Sequence, residues 1–271
     1  MILTATLLLS AVPVLALAAT TTGSGQPFAS DAYRRLLARH VSPGVIDGIS
    51  STLVDYGALR ADPDYARALD DFATADPARM SRAERFAFWI NAYNLMAIRT
   101  VVDRYPMQSI KDGGNLLFPI WKKRVATVAG AERTLDEVEH GILRPEFGDP
   151  RVHFAIVCAS LSCPDLRAEP YVAERLDAQL DDAARAFLAN PSKGLVVTEK
   201  GDGVRVSPIL KWFADDFAGG GGVPAFLRAN APATVPRAAL EPGAIAYLDY
   251  DWGLNDRAAL AGGARRGPRD A

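Results

Sequence analysis

The chain has 271 residues, 49% hydrophobic and 23% charged, with 30 basic against 32 acidic side chains and a formal net charge of −2. That composition excludes collagen-like, coiled-coil and wholly disordered chains, and the charge balance leaves no electrostatic footprint for nucleic acid. Two cysteines and three histidines exclude a disulfide-dense scaffold and any multi-zinc array.

No charged residue precedes Asp31, and Ile2 to Ala19 is nearly continuously apolar, ending in Ala16-Leu17-Ala18-Ala19. Small residues at that spacing suit a signal peptidase. Residues 1–18 therefore read as a secretory signal and 19–30 as a linker, with an uncleaved N-terminal anchor as the alternative. The mature protein is expected in the periplasm or outside the cell, where thiols tend to oxidise. No later segment is apolar enough to span a bilayer.

From Asp31 to Pro77 the apolar spacing predicts short helices, punctuated by Asp62-Pro63 and Asp76-Pro77. Ser81-Arg82-Ala83-Glu84 is a capping box, in which the two side chains satisfy each other's free backbone donors. It opens a helix through Phe86 to Ile98 that is apolar on every side and so is expected to be buried, ending near Tyr105-Pro106. An irregular loop follows, then a short hairpin at Val125–Val128. A second capping box, Thr134 to Glu137, starts a helix through Leu143. Val152 to Cys158 alternates like a strand, and Val172 to Leu188 reads as a helix. Leu195–Val197 and Val204–Val206 flank Gly201-Asp202-Gly203, a hairpin signal. Pro208 to Phe217 is helical, Gly219–Gly222 a break, Ile245–Leu248 a last strand, and residues 256–271 a disordered tail. The sum is a single α+β domain over residues 31–255, with several helices packed on short antiparallel strands.

Two segments carry polar groups that need a reason. On the buried helix, Glu84 and Asn91 lie seven residues apart on nearly one stripe, with Asn94 about a quarter-turn away. Leaving such groups unsatisfied inside a protein costs about 1–3 kcal/mol each. They either cap the helix and bond a neighbouring loop, or face a cleft and orient a catalytic group. The second segment, Thr134 to Pro164, collects His140, His153, Cys158 and Cys163.

Three readings of that cluster compete. Cys158 and Cys163 are close enough in sequence for a disulfide, which would rigidify a non-catalytic binding domain. Alternatively Cys158 is a nucleophile, followed by Ala159-Ser160-Leu161-Ser162, small residues that permit a tight turn and an oxyanion hole. A thiolate needs a basic or cationic neighbour. On a regular strand, odd spacing puts His153 opposite Cys158, so His140 is the expected base and Glu84 the orienting carboxylate. Asn91 and Asn94 would support this set, with His153, Ser160 and Cys163 nearby. Third, the two histidines and two cysteines form an acceptable tetrahedral zinc set, which the same strand geometry disfavours. His40, in an Arg-rich helix, reads as exposed, and Asp249 to Trp252 as a solvated loop.

Several motifs together resemble the family called domain of unknown function 547. They are Phe88-Trp89-Ile90-Asn91-Ala92-Tyr93-Asn94, Leu135 to Arg144, and Asp149 to Ala155 running into Cys158-Ala159-Ser160-Leu161-Ser162-Cys163-Pro164. Ser207 to Phe213 and Tyr250-Asp251-Trp252-Gly253-Leu254-Asn255 fit the same pattern, so the resemblance spans about 80–255. It implies one domain with exported bacterial members and assigns no activity. No His follows Cys158, so the papain order of Cys, then His, then Asn fails; a thiol enzyme here would need His140 before Cys158. The expectation is a thiol-dependent hydrolase or acyltransferase acting on an amide or ester of a small molecule or peptide, with no cofactor and no metal.

Overall fold

The computed structural model describes residues 28, 30–114, 119–261 and 269–270. The expected signal and nearly all of the expected linker lie outside the described residues, as do 262–268 of the tail.

The chain begins with helix α1 (Asp31–His40), whose first turn is capped by the Ser30 hydroxyl. Strands β1 (Val41–Ile46) and β2 (Ile49–Val54) then pair antiparallel. This hairpin stands where only helices are expected. Its signal is present in Asp47-Gly48, both at positive φ (49° and 82°), the conformation a two-residue hairpin turn demands. Helices α2 (Tyr56–Ala61) and α3 (Pro63–Thr74) follow, capped by Asp55 and Asp62. The exposed position expected for His40 is also revised: it is buried, with Nε2 2.9 Å from the Asp62 carboxylate that caps α3.

Helix α4 (Arg82–Val102) starts at the Ser81–Glu84 capping box, as expected, and is buried on all sides from Phe86 onward. The larger of two main cores forms around it, with Tyr33, Leu36, Phe72, Val138, Val157 and Leu180 among its members. Each such side chain fully withdrawn from water contributes about 1.5–3 kcal/mol. Strands β3 (Ala126–Val128) and β4 (Ala131–Arg133) form the expected small hairpin, and α5 (Leu135–Val138) opens at the Thr134–Glu137 capping box. From Glu139 to Phe147 the coil widens into π-type turns containing Pro145, closed by Gly148 at φ 60°. Wide turns of this kind recur at functional sites.

Residues 152–158 do not form the expected strand. Asp149 caps a tight turn of helix over Pro150–Phe154, and the chain then runs irregularly to Cys158. Its backbone groups bond instead to a side chain of α4: Asn94 Nδ2 donates to the Ala155 carbonyl at 3.0 Å, and Val157 N–H donates to Asn94 Oδ1 at 2.8 Å. Without a partner strand, the strand-face objection to His153 lapses.

Helix α6 (Leu176–Leu188) precedes β5 (Leu195–Val197) and β6 (Val204–Val206), an antiparallel pair joined by the last strand of their sheet, β7 (Ile245–Tyr247), parallel to β6. Between them lie α7 (Ile209–Trp212), a tight-turned stretch over Ala214–Gly220, and α8 (Gly222–Asn230). These elements enclose the second core, built on Phe154, Phe187, Leu210, Phe217, Leu227 and Tyr250. Strand β8 (Tyr250–Asp251) pairs with β9 (Arg269–Asp270), and Arg257–Leu260 forms one further turn of helix in the region expected to be disordered. Tyr250 and Asp251 are buried rather than solvated. The architecture is α+β. Among the described residues no helix is long and apolar enough to cross a membrane.

Candidate active site

A cleft of about 200 Å³ opens between the two cores, lined by both cysteines, His140, His153, Asp136 and Glu139. Cys158 packs against the α4 core, while Tyr250 and Phe213, on the opposite wall, belong to or pack on the second core.

The Cys158 loop is bent tightly and strapped down. Ala159 sits at φ 64°, a left-handed conformation that costs a residue with a Cβ about 1–2 kcal/mol. Three backbone bonds hold the loop to the 251–255 segment: Asn255 N–H to Ala159 O at 3.0 Å, Leu161 N–H to Gly253 O at 2.8 Å, and Ser162 N–H to Asp251 O at 3.2 Å. Asp251 N–H returns a bond to Ser162 Oγ at 2.8 Å. The Asn255 side chain accepts from Tyr56 O–H at 2.7 Å, which anchors the strap in the α4 core.

Both sulfurs are free thiols, Cys158 half-buried and Cys163 buried. Cys158 Sγ lies 3.1 Å from Ser160 Oγ and 3.4 Å from Tyr250 Oη. Ser160 Oγ donates to Tyr250 Oη at 3.1 Å, which leaves the phenolic proton to point at Cys158. Burial alone would raise the Cys158 thiol, but hydrogen bonds from Cys163, Tyr250 and the Ser160 backbone N–H outweigh it and bring the group down to about 6. Cys163 moves the other way, pushed up by burial and by its contact with Cys158, so it stays a thiol. Its sulfur accepts the Cys158 backbone N–H at 2.9 Å.

Glu139 faces the same cleft. Burial raises its carboxyl, and the Cys158 charge acts in the same direction, against lowering contributions from His140, Tyr93 and Arg144. Tyr93 O–H lies 3.0 Å from Oε2. Burial is the larger of the two raising effects, and the Cys158 charge adds to it.

The histidines are fixed by an arginine and a carboxylate. Asp216 takes two bonds from Arg144, at 2.6 and 2.8 Å, and a third from His153 Nε2 at 2.6 Å. The Arg144 and His153 contacts hold Asp216 low, near 2, so it is an ionised acceptor and His153 carries its proton on Nε2. His153 is stacked on Phe213 with ring centres 3.9 Å apart, and burial lowers it to about 4 despite Asp216. It is a neutral ring. Arg144 Nη1 lies 2.8 Å from His140 Nδ1; since arginine only donates, that nitrogen accepts and the ring N–H is on Nε2, 4.0 Å from Asp136. As placed, His140 is a hydrogen-bond donor at the cleft and has no free basic nitrogen.

Of the other expected site residues, Ser160 touches the thiol, but Glu84 does not reach the cleft. Its carboxylate accepts the Ser81 N–H at 2.7 Å, closing the cap of α4. Asn91 and Asn94 act on backbone: Asn91 brackets Tyr171, accepting its N–H at 2.9 Å and donating to its carbonyl at 2.8 Å. Among the described residues no group of three or more His, Cys, Asp or Glu is placed to hold a metal ion, so the four-residue zinc set is not gathered.

Residues 77–188 match the family described as "Protein of unknown function, DUF547". Over this segment the chain is similar to the DUF547 family. It supplies Glu139, His140, Arg144, His153 and both cysteines, and it ends short of the 207–213 and 250–255 motifs included in the sequence resemblance. The aromatic wall, Asp216 and Tyr250 come from beyond the matched DUF547 segment. No curated protein and no solved structure matches the chain.

Glu139, Arg144, Asp216 and Tyr250 are the site residues that the sequence reading missed. Arg144 had a signal, four residues after His140 on one helix. Tyr250 stood within a quoted motif. Asp216 had no local signal, because its role arises from the packing of the 214–220 turns on the DUF547 segment.

Proposed function

We propose that the protein is an exported thiol-dependent hydrolase or acyltransferase that acts on an amide or ester. The observation that carries this reading is the Cys158 sulfur at an aromatic cleft, drawn toward thiolate by neighbouring donors and sharing that cleft with Glu139, whose carboxyl burial raises. The pairing of these two groups supplies both halves of an acyl transfer.

The Cys158 thiolate attacks the substrate carbonyl carbon, and the π electrons move onto oxygen. His140 Nε2–H is the side-chain donor available to that oxygen. As the tetrahedral species collapses, the carbonyl reforms, the bond to the leaving amine or alcohol breaks, and Glu139 gives its proton to the leaving atom. A thioester on Cys158 and a Glu139 carboxylate remain. Water, or a second amine or alcohol, then attacks the thioester while Glu139 takes its proton, and the C–S bond breaks to regenerate thiolate and carboxylic acid. Asp216 and Arg144 are positioning residues that fix the two rings.

Incubation with a p-nitrophenyl ester tests this. A burst of nitrophenolate with a thioester mapped to Cys158 is expected and is absent in Cys158→Ala; in Glu139→Gln the burst persists, because nitrophenolate leaves without a proton, and the steady turnover after it is slowed about a hundredfold or more. No burst and no Cys158 thioester with any activated ester would remove the reading.

The contact between the Cys158 N–H and Cys163 Sγ also favours a second reading, in which export oxidises the pair to a disulfide and the cleft only binds. Counting thiols on non-reduced, exported protein separates the two: two free thiols for the enzyme, none for the binding domain.

A further inference from the structure

The cleft has a chemical preference that its thiol does not explain. Six aromatic side chains line it: Tyr93, Trp121, Trp212, Phe213, Tyr250 and Trp252. Three form a continuous platform, with Trp212 stacked on Trp252 at 5.8 Å and 20°, and Tyr250 4.9 Å from Trp212. Trp212 remains 48% exposed at the cleft, a large apolar face that ordinary folding would cover.

Among the residues that line the cleft, the carboxylates have no lysine or arginine to oppose them. Asp136 and Glu139 are the charged-type side chains among the lining residues, apart from the two histidines, and neither a lysine nor an arginine lines it. The nearby guanidinium of Arg144 is closed by its two bonds to Asp216. Cys158, Asp136 and Glu139 are the acidic groups that the cleft presents to an incoming group. Asp136 is 37% exposed, and its nearest cationic-type partner is His140 at 4.0 Å, so it has room to take another. The platform already accommodates a cation from the protein itself: Lys111 Nζ sits 4.0 Å from the centre of the Trp252 ring. An anionic acyl group would meet like charge here, and a saccharide would find few polar side chains for its hydroxyls.

We infer that the cleft selects a substrate bearing an aliphatic ammonium group, seated on the Trp212–Trp252 platform with Asp136 as its counter-charge. This rests on the thiol chemistry proposed above and adds the substrate class. Amides or esters of diamines, of amino alcohols or of basic amino acids have the required chemistry. The ammonium occupies the ring face and the carboxylate side, which leaves the scissile carbonyl to the sulfur.

Charged thiol reagents read this preference without turnover. Second-order rates of Cys158 modification are measured with methanethiosulfonates carrying a trimethylammonioethyl, a sulfonatoethyl or a plain methyl group, each divided by its rate with 2-mercaptoethanol. The cationic-to-anionic ratio is expected to exceed about fivefold, and to fall in Asp136→Asn, in Trp212→Ala and with added salt. The methyl reagent should keep its rate in Asp136→Asn, which shows that the fold and thiol are intact. A ratio at or below about fivefold, or a higher one that neither substitution lowers, overturns the ammonium preference while leaving the thiol chemistry standing. If none of the three reagents modifies Cys158, the thiol chemistry itself falls, and this inference with it.

Discussion

Asn94 holds the chain that delivers Cys158: its side-chain amide takes the Val157 N–H at 2.8 Å and gives a hydrogen to the Ala155 carbonyl at 3.0 Å. The amide replaces the partner strand that this stretch lacks, so a residue 63 positions before Val157 sets where the sulfur points. Asn94→Ala leaves two buried backbone groups unpaired and is expected to cost about 2–4 kcal/mol by urea unfolding, with slower thiol labelling. Asn91→Ala removes the equivalent clamp on Tyr171 and should lower stability similarly while leaving Cys158 labelling unchanged. Equal effects of the two variants on labelling would contradict this division.

The donors around Cys158 set its titration. Alkylation rates should rise as pH passes about 6 and level off above it. Tyr250→Phe removes one donor to the thiolate, worth about 1.5–3 kcal/mol, and should move the midpoint up by about one to two pH units. The folded thiol lies below its ordinary value, so its stabilising contribution is complete above the unfolded-state pKa and is lost as pH falls through about 6. An unchanged midpoint in Tyr250→Phe would show that the phenol does not donate to the sulfur.

His153 should behave as a neutral ring. Its folded-state value is lowered to about 4 by burial, so the unfolded chain takes up the proton first. Its contribution to stability is complete above about pH 6.5 and declines as pH falls toward 4, on the order of 3 kcal/mol in all. A proton NMR titration of the ring should give a midpoint near 4, lower still in Asp216→Asn, because Asp216 favours the charged ring. Asp216→Asn also weakens the charge partner of Arg144, and should cost about 1–3 kcal/mol. A His153 midpoint at or above the ordinary imidazole value would contradict the buried stacking on Phe213.

Ala159 carries the bend after the nucleophile at φ 64°. Ala159→Gly removes the Cβ strain but gives the unfolded chain more freedom, for a net gain of about 0–1 kcal/mol. Ala159→Val, branched at the strained position, should lose more than about 1 kcal/mol. Urea midpoints of the two variants check the sign; a stabilised valine variant would rule out a left-handed residue here.

Local signals made most helices readable: both capping boxes lie where Ser81-x-x-Glu84 and Thr134-x-x-Glu137 put them, and α4 is buried as its all-round apolar surface implied. The β1–β2 hairpin is masked in the sequence by the helical spacing of apolar residues on either side of it, and its local signal is the pair Asp47-Gly48. The 152–158 segment was misread because its alternation reflects burial between two cores, and its backbone partners sit on a distant helix. Cys158, His140 and His153 were legible as a cluster from sequence proximity. Glu139 is hidden by regular helical geometry, in which neighbours point about 100° apart, so that His140 at the cleft would turn it away. The wide turns from Glu139 onward change that spacing, and both side chains line the cleft. The carboxylate that fixes the rings, Asp216, is 72 residues from Arg144, a separation that no local pattern encodes.

The most direct test of the central claim is the pH dependence of iodoacetamide labelling on the reduced protein, with each cysteine located by mass spectrometry. A reactive Cys158 with a midpoint near 6, alongside an unlabelled Cys163, is the predicted result. A midpoint in the range of an ordinary free thiol, or labelling of Cys163 ahead of Cys158, would contradict it.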